Sequence, residues 1–148
     1  MSELDPAFEA AMREAFLVVP LHQHLGLQVV DVGHAGTAAM AIPIEGNALG
    51  NTGQLHGGAI ALLFDLVCAA AATTSGSYDP LAQALVTADL HVRYLGAAKG
   101  RLATARADVV KAGRTLIVVE ATMTDELDTL IARADFSATI VTPRPRLD

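Results

Sequence analysis

Two glycines and one carboxylate mark the part of the sequence best suited to chemistry. Gly57 and Gly58 precede a run of apolar residues that reaches Thr74, and Asp65 is the one charged residue in that run. If the run is a helix, its first N–H groups can stabilise the oxyanion that forms when a carbonyl is attacked. Close backbone packing would also explain the glycines. Asp65 is either a core carboxylate with polar partners or a nucleophile or general base.

The spacing of these residues limits how they can act together. Gly58 and Asp65 are seven residues apart, so they share one helix face but lie ~10 Å apart along the axis. Both cannot touch one small reacting group from the same helix. We therefore expect a homodimer, or a homotetramer made of two such dimers, in which each site takes its glycine from one subunit and its carboxylate from the other.

The rest of the sequence predicts the elements that position these residues. Asp5-Pro6 begins a short helix that ends before Pro20, and Leu21 to Gly26 is predicted as a turn. A hairpin, the long apolar helix and four strands follow. Their predicted ranges are 27–32 and 37–44 for the hairpin, 56–74 for the helix, and 86–94, 102–111, 115–124 and 130–141 for the strands.

The short turns between the last strands predict antiparallel neighbours, because parallel pairing needs long crossovers. An apolar helix cannot remain in water, and the economical arrangement wraps a curved antiparallel sheet around it. The predicted fold is therefore α+β, of the hot-dog type. We expect one domain over residues 1–148, with an N-terminal helical extension at 1–20 and a tail at 143–148.

Two segments of the chain resemble a known family. Between Asn51 and Asp65 the chain carries a loop with Asn and Gly, then His-Gly-Gly, then an acidic residue seven positions after the second Gly. This motif resembles the PaaI-type acyl-CoA thioesterases of the hot-dog superfamily, which are related to one class of 4-hydroxybenzoyl-CoA thioesterases. Val86 to Leu95 resembles the next strand of that family, and the resemblance covers residues 20 to 142 in order of elements.

The resemblance implies an acyl-CoA thioesterase that hydrolyses an acyl-CoA to a free carboxylic acid and CoA, without a metal or other cofactor. It implies that Asp65 is the nucleophile or general base and that Gly57 donates its N–H to the thioester carbonyl. Asn51 and Thr87 would position the reactants. Asn47 is the second candidate for the loop Asn.

Three further residues are predicted to bind or support the substrate: His56, Gly58 and Arg114. By resemblance, His56 ties the loop to the start of the helix, and Arg114, in a predicted turn, is the first candidate for a CoA phosphate contact. The alternation of side chains along the predicted strand places Thr87 on the wrong face for a site residue. On a regular strand it lies opposite the apolar face, so it reaches a site only through the partner subunit or through a β-bulge.

The composition excludes several classes of protein. The chain has 148 residues, a mass of 15.4 kDa and 52% hydrophobic residues, which suits one domain with one core. A net charge of −6 argues against a nucleic-acid partner. Asp65 argues against a membrane span, at a cost of ~2.5–3.5 kcal/mol. The single cysteine, Cys68, indicates a cytoplasmic protein, and the histidines show no metal-ligand spacing.

Two other functions stay open at this point. One is a hot-dog dehydratase or hydratase for acyl thioesters, with His56 and Asp65 as the acid–base pair, although their spacing on one helix requires two subunits. The other is a non-catalytic acyl-CoA-binding module. Thiol release from acyl-CoA separates the thioesterase from both alternatives.

Overall fold

The structure, a computed structural model, describes residues 2–143, and the predicted tail beyond Pro143 lies outside this range. Three helices and six strands make up the described chain, with a short 3-10 turn at Gly46–Ala48. In chain order they are α1 (Pro6–Leu17), α2 (Pro20–His24), β1 (Gln28–Asp31), β2 (Thr37–Pro43), α3 (Gly57–Thr74), β3 (Ala84–Tyr94), β4 (Leu102–Ala112), β5 (Leu116–Asp125) and β6 (Leu130–Val141).

One antiparallel sheet packs around α3 and forms the core. Its strand order is β1-β2-β4-β5-β6-β3. The inner face of β4 carries Ala103, Ala105 and Ala107, all at most 1% exposed, and these small side chains let α3 approach the sheet closely. Phe64 and Val67 of α3 are fully buried. The prediction of a hot-dog fold is confirmed.

The length and composition of α3 would also suit a membrane span, with a mean hydropathy of 1.7 over Gly57–Thr74. In this structure most of that helix is buried against the sheet. Its apolar character is accounted for by its position in the protein core, where it packs against β2, β4 and β5.

The predicted turn at Leu21 to Gly26 is wrong in part, because α2 occupies the first four of its six residues. Pro20 is at the first helical position, where its missing N–H costs nothing and its fixed φ suits the helix. The ring of His22 is buried and lies 2.8 Å from the backbone oxygen of Phe16, which holds α2 against α1. Gly26, at a φ of +69°, turns the chain toward β1.

The prediction that successive strands are neighbours is wrong for β3 and β4. β3 pairs with β6, whereas β4 pairs with β2 and β5. The connection over residues 95–101 must therefore pass the β5–β6 turn. Three strand spacings of ~4.8 Å separate β3 from β4. Seven extended residues span at most ~23–25 Å, so the connection is long enough to cross them. Asp125 and Glu126 in that turn accept hydrogen bonds from four backbone N–H groups of the passing chain. These contacts fix the crossover.

Candidate active site

The start of α3 presents backbone donors, and His56 determines which of them are free. His56 has extended backbone and precedes the helix, and its Nδ1 accepts a hydrogen bond from the N–H of Gly58 at 2.8 Å. Among the described residues, nothing accepts a hydrogen bond from the N–H groups of Gly57 and Ala59. Of the two glycines, Gly57 therefore has the available donor. His56 serves as a helix cap, so its Nδ1 carries no proton here.

Tyr94 is a contact of this helix start that the sequence analysis missed. Its hydroxyl donates to the backbone oxygen of Gly57 at 3.1 Å. A Cβ added to Gly57 would lie 3.5 Å from the Tyr94 ring, which is ordinary van der Waals contact. Tyr94 ends β3 and thus fixes the strand against the first turn of α3. An aromatic residue at an exposed strand end was the available signal.

Asp65 lies eight residues further along α3, or about 12 Å along its axis from Gly57. The side chain is half-buried, and its Oδ1 accepts a hydrogen bond from the hydroxyl of Thr87 at 2.9 Å. Among the described residues this is its one side-chain partner. The remaining lone pairs of the carboxylate are available to a water molecule or a substrate.

A β-bulge brings Thr87 to this position. The register with β6 shifts between Thr87 and Asp89, so Ala88 is an extra residue and the phase of the strand reverses there. Thr87 accordingly faces α3, as Leu90 and Val92 do beyond the bulge. An unbroken alternation would place Val86 on the apolar face, but the bulge turns it outward and it is 50% exposed. The contact between Thr87 and Asp65 forms within one chain.

Cys68 lies one turn after Asp65 on α3 and is fully buried. Burial raises the pKa of this thiol to about 12, and the negative charge of Asp65 adds to the effect. The sulfur therefore stays protonated at neutral pH and cannot act as a thiolate nucleophile.

The other predicted site residues are not gathered around Asp65 in one chain. Asn51 is exposed at the tip of the turn between Gly50 and Gly53. Asn47 donates to the backbone oxygen of His24 at 3.0 Å, so it links the loop to α2. Arg114 is exposed in the β4–β5 turn, at the end of the sheet that holds the C-terminus of α3.

An open groove lies beside the first turns of α3. Its volume is about 380 Å³. Leucine side chains make up much of its wall, and two histidines and an asparagine contribute polar groups. The lining residues are Leu21, His24, Leu25, Asn47, Leu49, His56, Gly58, Ala59 and Leu62. An apolar group attached to a carbonyl near Gly57 would find an apolar wall here.

The outer edge of β3 borders this site and has no neighbouring strand in the part of the chain described. Apolar side chains lie exposed along it, with Tyr94 57% and Leu95 52% exposed. Leu81, in the loop before the strand, is 97% exposed. An unpaired strand edge with apolar side chains is a template for pairing with another chain.

Within residues 2–143, no group of three or more His, Cys, Asp or Glu side chains is arranged to hold a metal ion. The reactive groups of the candidate site are the carboxylate of Asp65, the hydroxyl of Thr87 and the backbone N–H groups at the start of α3.

Solved structures share this fold. A thioesterase from Haemophilus influenzae superposes with a TM-score of 0.83 at 18% identity, covering 96% of each chain. A thioesterase family protein from Silicibacter pomeroyi gives 0.77 at 27% identity, covering 89% of this chain and 96% of that one. The E. coli PaaI protein from the phenylacetic acid degradation operon gives 0.77 at 16% identity, covering 93% and 96%. No curated protein sequence gives a significant match.

Sequence comparison with protein families identifies the chain more directly. The profile of the thioesterase superfamily matches residues 52–132, from the loop before α3 to the first residues of β6. This segment contains the His-Gly-Gly motif, Asp65 and Thr87, and it is more than half of the chain. The chain therefore belongs to the thioesterase superfamily, as its resemblance to the hot-dog thioesterases predicted.

Proposed function

We propose that the chain is an acyl-CoA thioesterase whose active site is completed by a second subunit. The observation that carries the proposal is the arrangement on α3. Asp65, hydrogen-bonded to Thr87, and the free N–H of Gly57 are both accessible, but they lie about 12 Å apart along one helix. A thioester carbonyl is a few ångströms across, so one chain cannot place both groups on it.

In the proposed reaction, Gly57 and Asp65 have separate roles. The N–H of Gly57 donates to the carbonyl oxygen and stabilises the oxyanion of the tetrahedral intermediate, a contribution of ~2.7–4 kcal/mol for one such donor. As a general base, Asp65 takes a proton from water as the water attacks, and the proton passes to the CoA thiolate as the C–S bond breaks. As a nucleophile, Asp65 instead forms a mixed anhydride, CoA leaves as thiolate, and water hydrolyses the anhydride.

The exposed edge of β3 supports a homodimer that would complete the site. Pairing of this edge with its copy would cover Tyr94 and Leu95 and would bring the α3 helices side by side. An antiparallel arrangement of the two helices sets Gly57 of one beside Asp65 of the other. Asn51 or Asn47 from the loop, and Arg114 from a turn, would then contact parts of acyl-CoA, with Arg114 at a phosphate. We further propose a homotetramer of two such dimers in the cytoplasm.

The test is thiol release from a panel of acyl-CoAs with short, medium and long aliphatic chains and with aromatic acyl groups. We expect hydrolysis of at least one member by the wild type and almost none by Asp65→Asn. Thiol release that is equal in the two proteins would contradict the proposal.

An enoyl-CoA in the same assay distinguishes the alternatives. A loss of enoyl absorbance without thiol release would identify a hydratase. Saturable binding of acyl-CoA with neither reaction would identify a binding module. The capping of α3 by His56 argues against the hydratase, since the Nδ1 of His56 already accepts the N–H of Gly58.

A further inference from the structure

The turn before β3 carries an apolar side chain at its tip. The backbone oxygen of Asp79 accepts the N–H groups of Ala82 and Gln83, and the carboxylate of Asp79 accepts the N–H of Leu81 at 2.9 Å. Gln83 accepts the N–H of Asp79 in return, at 2.9 Å. We call residues 79–83 the Leu81 turn. Leu81 is 97% exposed, and since a single exposed leucine is ordinary, its position must decide whether it has a role.

The Leu81 turn lies at the end of the molecule where α3 ends. Thr87 contacts Asp65, and Tyr94 contacts Gly57, so β3 runs antiparallel to α3. The chain before Thr87 therefore continues past Asp65 toward the last residues of the helix. Four extended residues separate Thr87 from Gln83, a distance of about 13 Å. The Leu81 turn thus begins about 13 Å from the carboxylate end of the candidate site.

The next step rests on the proposed function, in which Gly57 of one chain lies beside Asp65 of the other. Because Tyr94 adjoins Gly57 and Thr87 adjoins Asp65, the same two-fold axis sets the partner's Tyr94 near Thr87. β3 ends at Tyr94, and Leu95 turns inward, where its N–H donates to the backbone of β6. Strand pairing therefore stops near Thr87. The Leu81 turn extends beyond the paired strands, at the entrance of the shared site, and stays open to a substrate.

The pantetheine arm of CoA has the length to reach this turn. About eleven bonds join the thioester carbon to the dimethyl carbon of its pantoate unit, and at three bonds per ~3.3–3.6 Å of extended chain they span ~12–13 Å. This length matches the distance from Thr87 to the Leu81 turn. The dimethyl group is the branched apolar part of an arm that is otherwise polar, so an exposed leucine is a suitable contact for it.

Arg114 lies at the same end of the sheet. Ala84 pairs with Val141 of β6, and the N–H of Ile140 donates to the backbone oxygen of Thr115, beside Arg114. The β4–β5 turn is therefore two strand spacings, ~10 Å, from the start of β3. In CoA the first phosphate follows the dimethyl carbon after one carbon and one oxygen, and an arginine side chain can cover most of the remaining distance. Asp65, Leu81 and Arg114 follow one another in the order of the thioester, the pantoate and the phosphates.

We propose that Leu81 binds the pantoate segment of acyl-CoA, in the site formed by Asp65 of its own chain and Gly57 of the partner. Leu81 is thereby a specificity residue, which favours full CoA thioesters over thioesters with a shorter arm. The contact is distant from the reacting carbon and is the same in the ground state and the transition state. Its loss therefore raises KM and leaves kcat unchanged.

The first test compares two substrates with the same acyl group, the CoA thioester and the N-acetylcysteamine thioester, which ends before the pantoate. We expect Leu81→Gln to raise KM for the CoA thioester about 5–20-fold at constant kcat, and Leu81→Met to retain most of the affinity. For the N-acetylcysteamine thioester, Leu81→Gln should match the wild type. An equal loss on both substrates, or no loss on either, would overturn the proposal.

Heterodimers show which chain supplies the leucine. When Gly57→Pro, which deletes the N–H, is combined with Asp65→Asn, the intact site takes its carboxylate from the Gly57→Pro chain. Leu81→Gln should raise KM when it is added to that chain and have no effect when it is added to the Asp65→Asn chain. The same KM in the two arrangements would overturn the proposed position of Leu81.

A matched control and a binding measurement separate this result from the proposed function. Leu127→Gln makes the same change at an exposed leucine, in the β5–β6 turn at the opposite end of the sheet, and KM should stay at the wild-type value. If no thioester is hydrolysed, the proposed function fails, and calorimetry with CoA still tests Leu81. Leu81→Gln should raise the Kd of CoA about 5–20-fold but leave that of adenosine bisphosphate, which lacks the arm, unchanged. Absence of CoA binding, or equal Kd values in wild type and Leu81→Gln, would overturn the proposal.

Discussion

Asp65 and Asp125 are both carboxylates at the edge of an apolar core, but their surroundings differ. Asp125 is 3% exposed, and its two oxygens accept four backbone N–H groups. The donors are those of Lys99, Gly100, Leu127 and Thr129. Asp65 is half-buried and accepts one described hydrogen bond, from Thr87. The fold supplies Asp125 with four hydrogen-bond donors, whereas Asp65 keeps lone pairs for a partner outside the chain.

The pKa values follow from these contacts. Burial opposes the ionisation of Asp125, but the four N–H donors outweigh it and hold its pKa well below the usual range. The N–H groups of Arg101 and Leu102 likewise lower the pKa of the neighbouring Glu126. Both carboxylates stay ionised and fix the crossover between β3 and β4. A carboxylate with all its lone pairs occupied has a structural role, and one with lone pairs free can do chemistry.

The largest expected effect is the contrast between two identical substitutions. Asp65→Asn removes a base or nucleophile, and we expect kcat for acyl-CoA hydrolysis to fall ~10²–10⁴-fold with the fold intact. Asp125→Asn should leave kcat within about tenfold of the wild type, ~1.4 kcal/mol, but lower Tm. Steady-state kinetics and thermal unfolding of both variants test the contrast. The comparison fails if Asp125→Asn is the less active of the two at a temperature where both are folded.

The second prediction concerns the other half of the site. Gly57 is the first residue of α3, where proline is well tolerated, and the extended backbone of His56 suits a following proline. Gly57→Pro thus deletes the N–H while preserving the helix, and we expect kcat to fall ~10²–10³-fold. Gly57→Ala keeps the N–H, and its Cβ meets the Tyr94 ring at an ordinary 3.5 Å. Equal activities of the two variants would show that this N–H is not used.

A smaller effect is expected at Thr87. Thr87→Val keeps the shape of the side chain but removes the hydrogen bond to Asp65, and bonds to charged groups contribute ~1.5–3 kcal/mol. We expect kcat to fall about 10–150-fold with little change in KM, and Thr87→Ser to restore most of the loss. If Thr87→Val raises KM without lowering kcat, or if serine does not restore kcat, Thr87 does not position the carboxylate.

The smallest effect concerns stability and pH. Because the pKa of Asp125 is lower in the folded chain than the ~3.9 of an unfolded one, its stabilising contribution is complete above that value and decreases as the pH falls through it toward the folded pKa. The Tm difference between wild type and Asp125→Asn should therefore be largest near pH 7 and shrink below about pH 4. Thermal unfolding between pH 3 and 7 measures it. A Tm difference that does not change with pH would contradict a stabilising role for the ionised Asp125.

Apart from α2, which the sequence predicts as a turn, the helices and strands were predictable because apolar runs and alternation mark them. The apolar run with a single carboxylate gives α3, and the alternation in Leu130 to Val141 gives β6. Periodicity reports which face of a strand is apolar but says nothing about its neighbour. The pairing of β3 with β6 joins distant segments of the chain, and the connection that allows it is held by contacts with Asp125 and Glu126. Local sequence patterns do not contain that information.

The candidate site was predictable in its residue types and less so in its geometry. Asp65 and Thr87 were both candidates, yet the alternation from Val86 to Arg93 is unbroken in the sequence, so nothing locates the bulge at Ala88 that brings them together. The contact of Tyr94 with Gly57 spans 37 residues and forms only in the folded chain. Their catalytic roles stay predictions.

The most direct test of the central claim, a site shared between two subunits, is complementation between two inactive variants. Asp65→Asn and Gly57→Pro each damage both sites of a homodimer. In a heterodimer one site carries both lesions and the other carries neither. Random exchange gives about half heterodimers, so about a quarter of wild-type activity should return after the variants are unfolded and refolded together. Each variant refolded alone is the control, and native mass spectrometry verifies the heterodimers. Verified, folded heterodimers without activity would contradict the shared site and leave Asp65 to act with groups of its own chain.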